Sequence, residues 1–367
     1  MTKALCHAFM RTRVGRARVL RYVVVAVGSV GVCAFLLGPG AWLLAGGSVR
    51  GKELEETRRT LIATVVTGST LAGLVYTIRH YLLARRGQVA DRYSKAVAQL
   101  AGAPVERLGG IYALEHVMRE SDDDHGAIVE VLASYIRTES PARPGTTGSS
   151  AVGEDITAAM TVLARRPSRP ETNRIDLRRT NLTGLELVTG TDRRVPMLAR
   201  ADLCGARLVG VRMAGADLRD ALLGGADLTR AHLEDAVLSG AWLTGATLRE
   251  AHLDRAKLVE AKLDAALLDG TCFQEADLTG CWLDGAEQDQ AMFQGAVLTG
   301  ASLLDVDLEH SQGLTWEQIV SAWPFPDGRT RLSEGFRTHP AVRDRIIACH
   351  EAPPRRPPPW PFPWPLS

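Results

Sequence analysis

The sequence predicts a chain of mixed class: two N-terminal transmembrane helices, a small α-helical module, and a coil built from five-residue repeats. Three observations predict it. Two runs without a charged residue, Tyr22 to Val49 and Thr60 to Ile78, lie near the N-terminus. Apolar residues then recur at helical spacing between 88 and 140. From Ala201 to His310 a five-residue pattern holds through 22 consecutive units.

Residues 1–21 carry Lys3, Arg11, Arg13, Arg16, Arg18 and Arg21 and no acid, which reads as a basic cytoplasmic tail. Each uncharged run is long enough for a helix to cross a bilayer. Residues 22–86 are therefore expected to form a transmembrane hairpin with spans at about 22–46 and 60–78. Arg79, Arg85, Arg86, Arg92 and Lys95 follow the second run. By the positive-inside rule, both termini lie in the cytoplasm and the protein sits in the cell membrane. A cleaved signal peptide, with Ala45 and Gly47 as small residues at the cut, is the alternative.

Helices are expected through 88–140. Tyr93, Val97 and Leu100 share one face, as do Leu108, Ile111, Leu114, Val117 and Met118. Ser121-Asp122-Asp123-Asp124 interrupts the pattern and offers N-cap chemistry to a third helix through Ile128, Val131, Leu132 and Ile136. A Pro/Gly/Ser/Thr linker at 141–153 and a lead-in helix at 154–168 follow.

The repeat excludes a regular helix and a straight strand. On an α-helix, five residues overshoot a full turn by about 140°, so the leucines would spiral around the axis. In a strand, an odd period sends successive leucines to opposite faces. Within one unit, Ala and Leu stand two residues apart, so a short extended segment points both inward. The backbone must then turn a corner between units. Eighteen of the 22 third positions are Leu, the exceptions being Met213, Phe273, Gln288 and Phe293. Eighteen first positions are Ala, and eleven fifth positions are Gly, which suits a tight corner.

Ala216-Asp217-Leu218, Ala226-Asp227-Leu228 and Ala276-Asp277-Leu278 match A(D/N)Lxx, and the chain thereby resembles the pentapeptide-repeat proteins. The resemblance implies a right-handed quadrilateral parallel β-helix with about 20 residues per coil, each coil rising roughly 4.8 Å. The solenoid is expected over 175–310. Its first three units, at Ile175, Thr180 and Leu185, run one residue out of phase, and a loop from Gly190 to Arg200 absorbs the shift. A C-terminal cap is expected at 311–345, with Thr315 capping a helix, and a Pro-rich extended tail at 353–367. Arg107 to Glu115 and Asp155 to Leu163 look like the helical segments of membrane-anchored actinobacterial members of that family.

No arrangement of residues points to catalysis. Gly46 to Lys52 matches GxxxxGK, but Glu53 stands where a phosphate loop needs Ser or Thr. Asp122 to His125 reads as a solvated helix start. The six cysteines are scattered without a CxxC pair. With four units per coil, second positions 20 residues apart stack in columns. One column reads Arg212, His232, His252, Cys272, Met292; its outward side chains splay, and no metal ligand set is assigned to it. Another reads Leu222, Trp242, Lys262, Trp282, Ser302, an apolar and cation–π surface of the kind found at binding hot spots. Leu222, Trp242, Lys262 and Trp282 are therefore the candidate interaction face. From Leu263 to His310 there are ten acids and no Lys or Arg. The resemblance implies that such a rod can mimic duplex DNA toward an enzyme such as gyrase.

The expected function is that of a membrane-tethered, non-enzymatic scaffold for protein–protein interaction, and the alternative is a DNA mimic acting on a topoisomerase. The expected partners are the membrane and an unidentified protein. Self-association is left open, and neither a cofactor nor direct nucleic-acid binding is expected.

Overall fold

The computed structural model describes residues 51–142, 152–169, 171, 173–187, 195–322 and 330–351. The chain divides into two compact units, one through Gln88 and one from Val89 onward. The expected basic tail, first span, most of the linker and the Pro-rich tail lie outside the described residues.

The first described element is a helix of 49 residues, α1 (Gly51–Gln99). It corrects the membrane assignment. Among the described residues no helix is long and apolar enough to cross a membrane, so the second expected span, and with it the cell-membrane placement, does not hold. The reason is that an uncharged run is not the same as an apolar one. Thr60, Thr67, Ser69, Thr70 and Thr77 bring hydroxyls to most turns, and Gly68 and Gly73 add no apolar side chain. The hydroxyls of Thr67, Thr70 and Thr77 donate to carbonyls one turn back. The helix also continues unbroken past Arg79, Arg85 and Arg86. At 1.5 Å per residue it is about 74 Å long, more than twice a bilayer core.

From Val89 on, the end of α1 packs with α2 (Pro104–Glu120), α3 (His125–Glu139) and α4 (Glu154–Ala164). Ile111, Leu114, Val117 and Met118 from α2 meet Ile128, Leu132 and Ile136 from α3 and Ile156, Ala159, Met160 and Leu163 from α4, all buried. Gly110 permits the close approach of α2 to α1: a Cβ there would sit 2.7 Å from the Ala96 carbonyl. The start of α3 is tied by Ser121, whose hydroxyl donates to Asp124 and accepts from its N–H, rather than by an N-cap side chain on the helix. A polar clamp joins α2, α3 and α4. The Tyr135 hydroxyl donates to Asp155 at 2.6 Å, and Arg107 reaches Asp155 at 3.2 Å and Glu139 at 3.0 Å. Burial and the hydrogen bond to Asp155 push the Tyr135 phenol well above its usual range.

The repeats form a solenoid whose walls are built from single parallel bridges. Asp202 pairs with Leu222, Arg207 with Asp227, Arg212 with His232 and Asp217 with Val237, all 20 residues apart, and four such columns run along the rod. Each third-position N–H donates to the second-position carbonyl of the next coil, as Leu203 does to Leu222 at 2.7 Å. Each second-position N–H donates back to the first-position carbonyl of the previous coil, as Leu222 does to Ala201 at 2.9 Å. Corner geometry is uniform: every fifth residue from Arg200 through Asp305 lies at positive φ. The N–H of the fourth position has no partner in this ladder. Asp or Asn at the second position accepts it, as Asp217 does from Arg219 and Asp227 from Thr229, both at 3.2 Å. That Asx bond is the physical content of the D/N in the repeat.

Inward positions are dry. Leu218, Leu243 and Leu263 are fully buried with the alanines beside them, and Phe273 stacks on Phe293 at 5.4 Å where two successive coils carry rings instead of Leu. Two first positions that are not Ala keep a polar atom inside by bonding it: Thr271 donates to the Leu248 carbonyl and Cys281 to the Leu258 carbonyl. Gln288 alone puts an amide at a third position. Its side-chain nitrogen donates to the Asp307 carbonyl and to Ser311, and no bridge joins Glu287 to Asp307.

The early coils shift phase inside one wall. Asp176, Asn181 and Glu186 bridge partners 26 residues away, whereas Met197 bridges Asp217 at the regular 20. The regular run thus begins at Pro196-Met197-Leu198, inside the expected loop, whose remaining residues fall partly outside the described ones. At the other end, α5 (Trp316–Ser321) begins at Thr315, whose hydroxyl accepts from Gln318 N–H while the Gln318 side chain accepts from Thr315 N–H. Gln318 also donates to the Phe293 and Ala296 carbonyls, closing the end of the coil. Two further helices, α6 (Glu334–Thr338) and α7 (Pro340–Glu351), follow.

Candidate interaction face

Successive bridges bring Leu222, Trp242, Lys262, Trp282 and Ser302 into one column. The ladder forces this: each is the second residue of its unit, pointing outward, and four units return the chain to the same wall. The Lys262 ammonium stands 3.3 Å from the centre of the Trp242 ring, a cation–π contact across one coil rise. Burial lowers the Lys262 pKa, opposed by the Asp264 carboxylate next to it. Trp242, Lys262 and Trp282 are half-buried, each keeping surface toward solvent.

The two ends of the column differ from the expectation. Leu222 stands in the column but is only 7% exposed, and Ser302 is buried with its hydroxyl donated to Asp284. The accessible part of the face is Trp242, Lys262 and Trp282. Its two edges are the corners before and after each unit. One edge reads Gly225, Gly245, Ala265, Gly285, and the other includes Gly240, Gly280 and Gly300. A Cβ built at Gly245 or Gly285 meets nothing within 4 Å, so the first edge presents backbone and open space beside the indoles.

The histidine column is arranged differently. His232 and His252 stack nearly parallel at 4.8 Å, and His232 Nδ1 lies 3.0 Å from Glu234. The Cys272 thiol is buried and donates to Asp254, and burial first, then that bond, push its pKa up to about 11. Among the described residues no group of three or more His, Cys, Asp or Glu is placed to hold a metal ion.

Sequence reasoning missed a buried polar cluster where α4 meets the first coils. Arg166, 7% exposed, pairs with Glu171 through Nε at 2.5 Å and Nη2 at 3.0 Å. Its Nη1 donates to the Leu163 and Met197 carbonyls. His125 Nε2 lies 3.1 Å from the same Glu171 carboxylate. Burial alone would raise the Glu171 pKa, but bonds and charge from Arg166 and His125 outweigh it and hold the carboxyl below its ordinary value. Nearby, Arg169 donates to the Met118 and Ser121 carbonyls at the end of α2 and pairs with Asp122 at 2.6 Å. Only the basic stretch Arg165-Arg166-Pro167-Ser168-Arg169 marked this place in the sequence, and such a stretch usually reads as solvated.

Residues 198–235, 231–270 and 271–311 match pentapeptide repeats, in eight copies. No curated protein matches the chain. Among solved structures it is similar to HetL, a pentapeptide repeat protein involved in heterocyst differentiation regulation from the cyanobacterium Nostoc sp., at 27% identity over 43% of this chain and 90% of that one, with a TM-score of 0.21. A pentapeptide repeat protein of the Arabidopsis thaliana thylakoid lumen matches at 27% identity over 38% of this chain and 90% of that one, with a TM-score of 0.29. QnrB1, a plasmid-mediated fluoroquinolone resistance protein, matches at 16% identity over 48% of this chain and 83% of that one, with a TM-score of 0.28. The repeat region of this chain belongs to the pentapeptide-repeat family.

Proposed function

We propose that the chain is a non-enzymatic scaffold that holds a partner protein on the face carrying Trp242, Lys262 and Trp282. One observation carries the reading: two half-buried indoles and a lysine share a rigid wall with an open edge at Gly245 and Gly285. Trp is enriched at binding hot spots, and a wall whose main chain is already fixed by the ladder has little backbone entropy left to lose when a partner docks. The test compares in-cell crosslinking of the wild-type chain with Trp242→Ser/Trp282→Ser. Crosslinked partners present in the wild type should vanish from the double variant. A double variant that still captures every partner overturns the choice of face.

A second reading, a DNA mimic acting on a topoisomerase such as gyrase, is favoured by the ten acids without Lys or Arg between Leu263 and His310. Its affinity would rest on negative potential and so fall steeply with salt. Purified gyrase, assayed with the full chain at low and at moderate salt, separates the two. Salt-sensitive inhibition that is lost when Asp264, Asp277 and Asp284 are changed to Lys supports the mimic and overturns the scaffold. Unaffected gyrase removes this target from consideration.

A further inference from the structure

Beside the end of α4 the surface folds into a cleft of about 650 Å³ whose lining includes four arginines, Arg119, Arg165, Arg166 and Arg169, together with Val195 and Met197. Its volume lies within the roughly 300–1,000 Å³ typical of small-molecule sites. Three of the arginines are already braced. Arg119 pairs with Glu115 at 2.6 Å, Arg166 with Glu171 at 2.5 Å and Arg169 with Asp122 at 2.6 Å. Arg165 is different. Among the described residues its side chain makes no ion pair and no hydrogen bond, and its Nε is buried without an acceptor. Among the described residues, four arginines at the cleft are matched by three carboxylates, one positive charge in excess.

A guanidinium cannot shed its proton to escape this situation. A buried N–H without an acceptor is costly, and most such groups in proteins find one. An oxyanion in the cleft supplies the missing negative charge, and a guanidinium binds its oxygens in a fork. The braced neighbours hold their positions through their own bonds, so they add positive potential without having to be ordered on binding. Exposed Val195 and half-buried Met197 form an apolar wall that bare water does not satisfy and that a hydrocarbon body does.

We propose that this cleft binds a small organic oxyanion, a carboxylate or phosphate ester on an apolar body, with Arg165 as its principal ligand. The site is separate from the tryptophan face and does not depend on the scaffold reading. The test is calorimetric titration of the full chain with phenyl phosphate, with benzoate and with neutral benzyl alcohol at constant ionic strength. Saturable one-site binding of phenyl phosphate, of benzoate or of both is expected, with none for benzyl alcohol. Phenyl phosphate alone would assign the site to phosphate esters, benzoate alone to carboxylates, and both to the shared oxyanion. Arg165→Gln should weaken binding about tenfold or more. Val195→Asp, a change at an exposed position that leaves the core intact, should weaken it as well by setting a negative charge at the rim. No saturable binding of either anion, or binding that survives both substitutions unchanged, overturns the proposal.

Discussion

The rod and the helical module solve the same problem by opposite means. In the rod each unit repeats its neighbour's solution: three backbone bonds donated to adjacent coils, one corner at positive φ, one Leu and one small residue inside. In the module, α2, α3 and α4 are joined by polar contacts that occur once each. These are Arg107 and Tyr135 on Asp155, Arg166 and His125 on Glu171, and Arg169 on the end of α2. Repetition makes a structure readable and distributes its stability, whereas singular contacts concentrate stability in a few side chains that no pattern announces.

The sharpest way to break the rod is from inside. Leu243 is fully buried in mid-rod, so Leu243→Asp places an unpaired carboxylate in the apolar axis and should cost about 4 kcal/mol or more, read as a fall in the chemical denaturation midpoint. In the module the comparable point is Arg166. Arg166→Met removes one partner of a buried ion pair and leaves Glu171 held by His125, for an expected loss of about 3 kcal/mol. Loss of less than about 0.5 kcal/mol would mean that the pair is not what joins α4 to the coil.

The same cluster sets a pH dependence. Because the folded Glu171 pKa is lowered, the carboxylate's contribution is present above its unfolded value, near the ordinary 4.5, and is lost as pH falls through the lower folded value. Wild-type stability should therefore drop on acidification below that point. Glu171→Gln, measured across the same range, should show a shallower fall. Identical slopes would remove Glu171 from the acid response.

Smaller effects belong to the corners. Ala265 occupies a corner at φ 53°, a conformation that costs an L-residue roughly 1–2 kcal/mol and glycine almost nothing. Ala265→Gly should gain up to about 1 kcal/mol after the entropy of the freer unfolded chain is subtracted. Smallest of all is Thr247→Asp on an outward, half-buried position, where thermal denaturation should shift by the equivalent of about 0.5 kcal/mol or less. If Thr247→Asp proves as damaging as Leu243→Asp, the inward and outward assignment of the repeat is wrong.

What the sequence made legible follows the same division. The columns could be written down by adding 20, because the ladder leaves one answer for every unit, and Trp242, Lys262 and Trp282 fell together on that arithmetic alone. The unit at Pro196-Met197-Leu198 was hidden because Pro stands where the pattern wants Ala, although the buried Pro196 fills the same place. The depth of Leu222 was hidden too, since the repeat fixes the direction of a side chain and not what lies over it. The Arg166–Glu171–His125 cluster was illegible because its members are held together by tertiary packing, with His125 46 residues before its carboxylate. The misread span in α1 came from counting charges and overlooking hydroxyls.

The shift between Glu186 and Met197 has a practical consequence. Six additional residues enter the chain there, yet Glu186 still bridges Arg212 and Met197 still bridges Asp217, so both walls keep their alignment. A corner of this rod is therefore a port at which foreign sequence can be spliced without retuning anything downstream. Loops of differing length set into the same corner of successive coils, 20 residues apart, would emerge in vertical file, about 4.8 Å apart, and the protein could serve as a ruler on which binding segments are displayed at chosen heights.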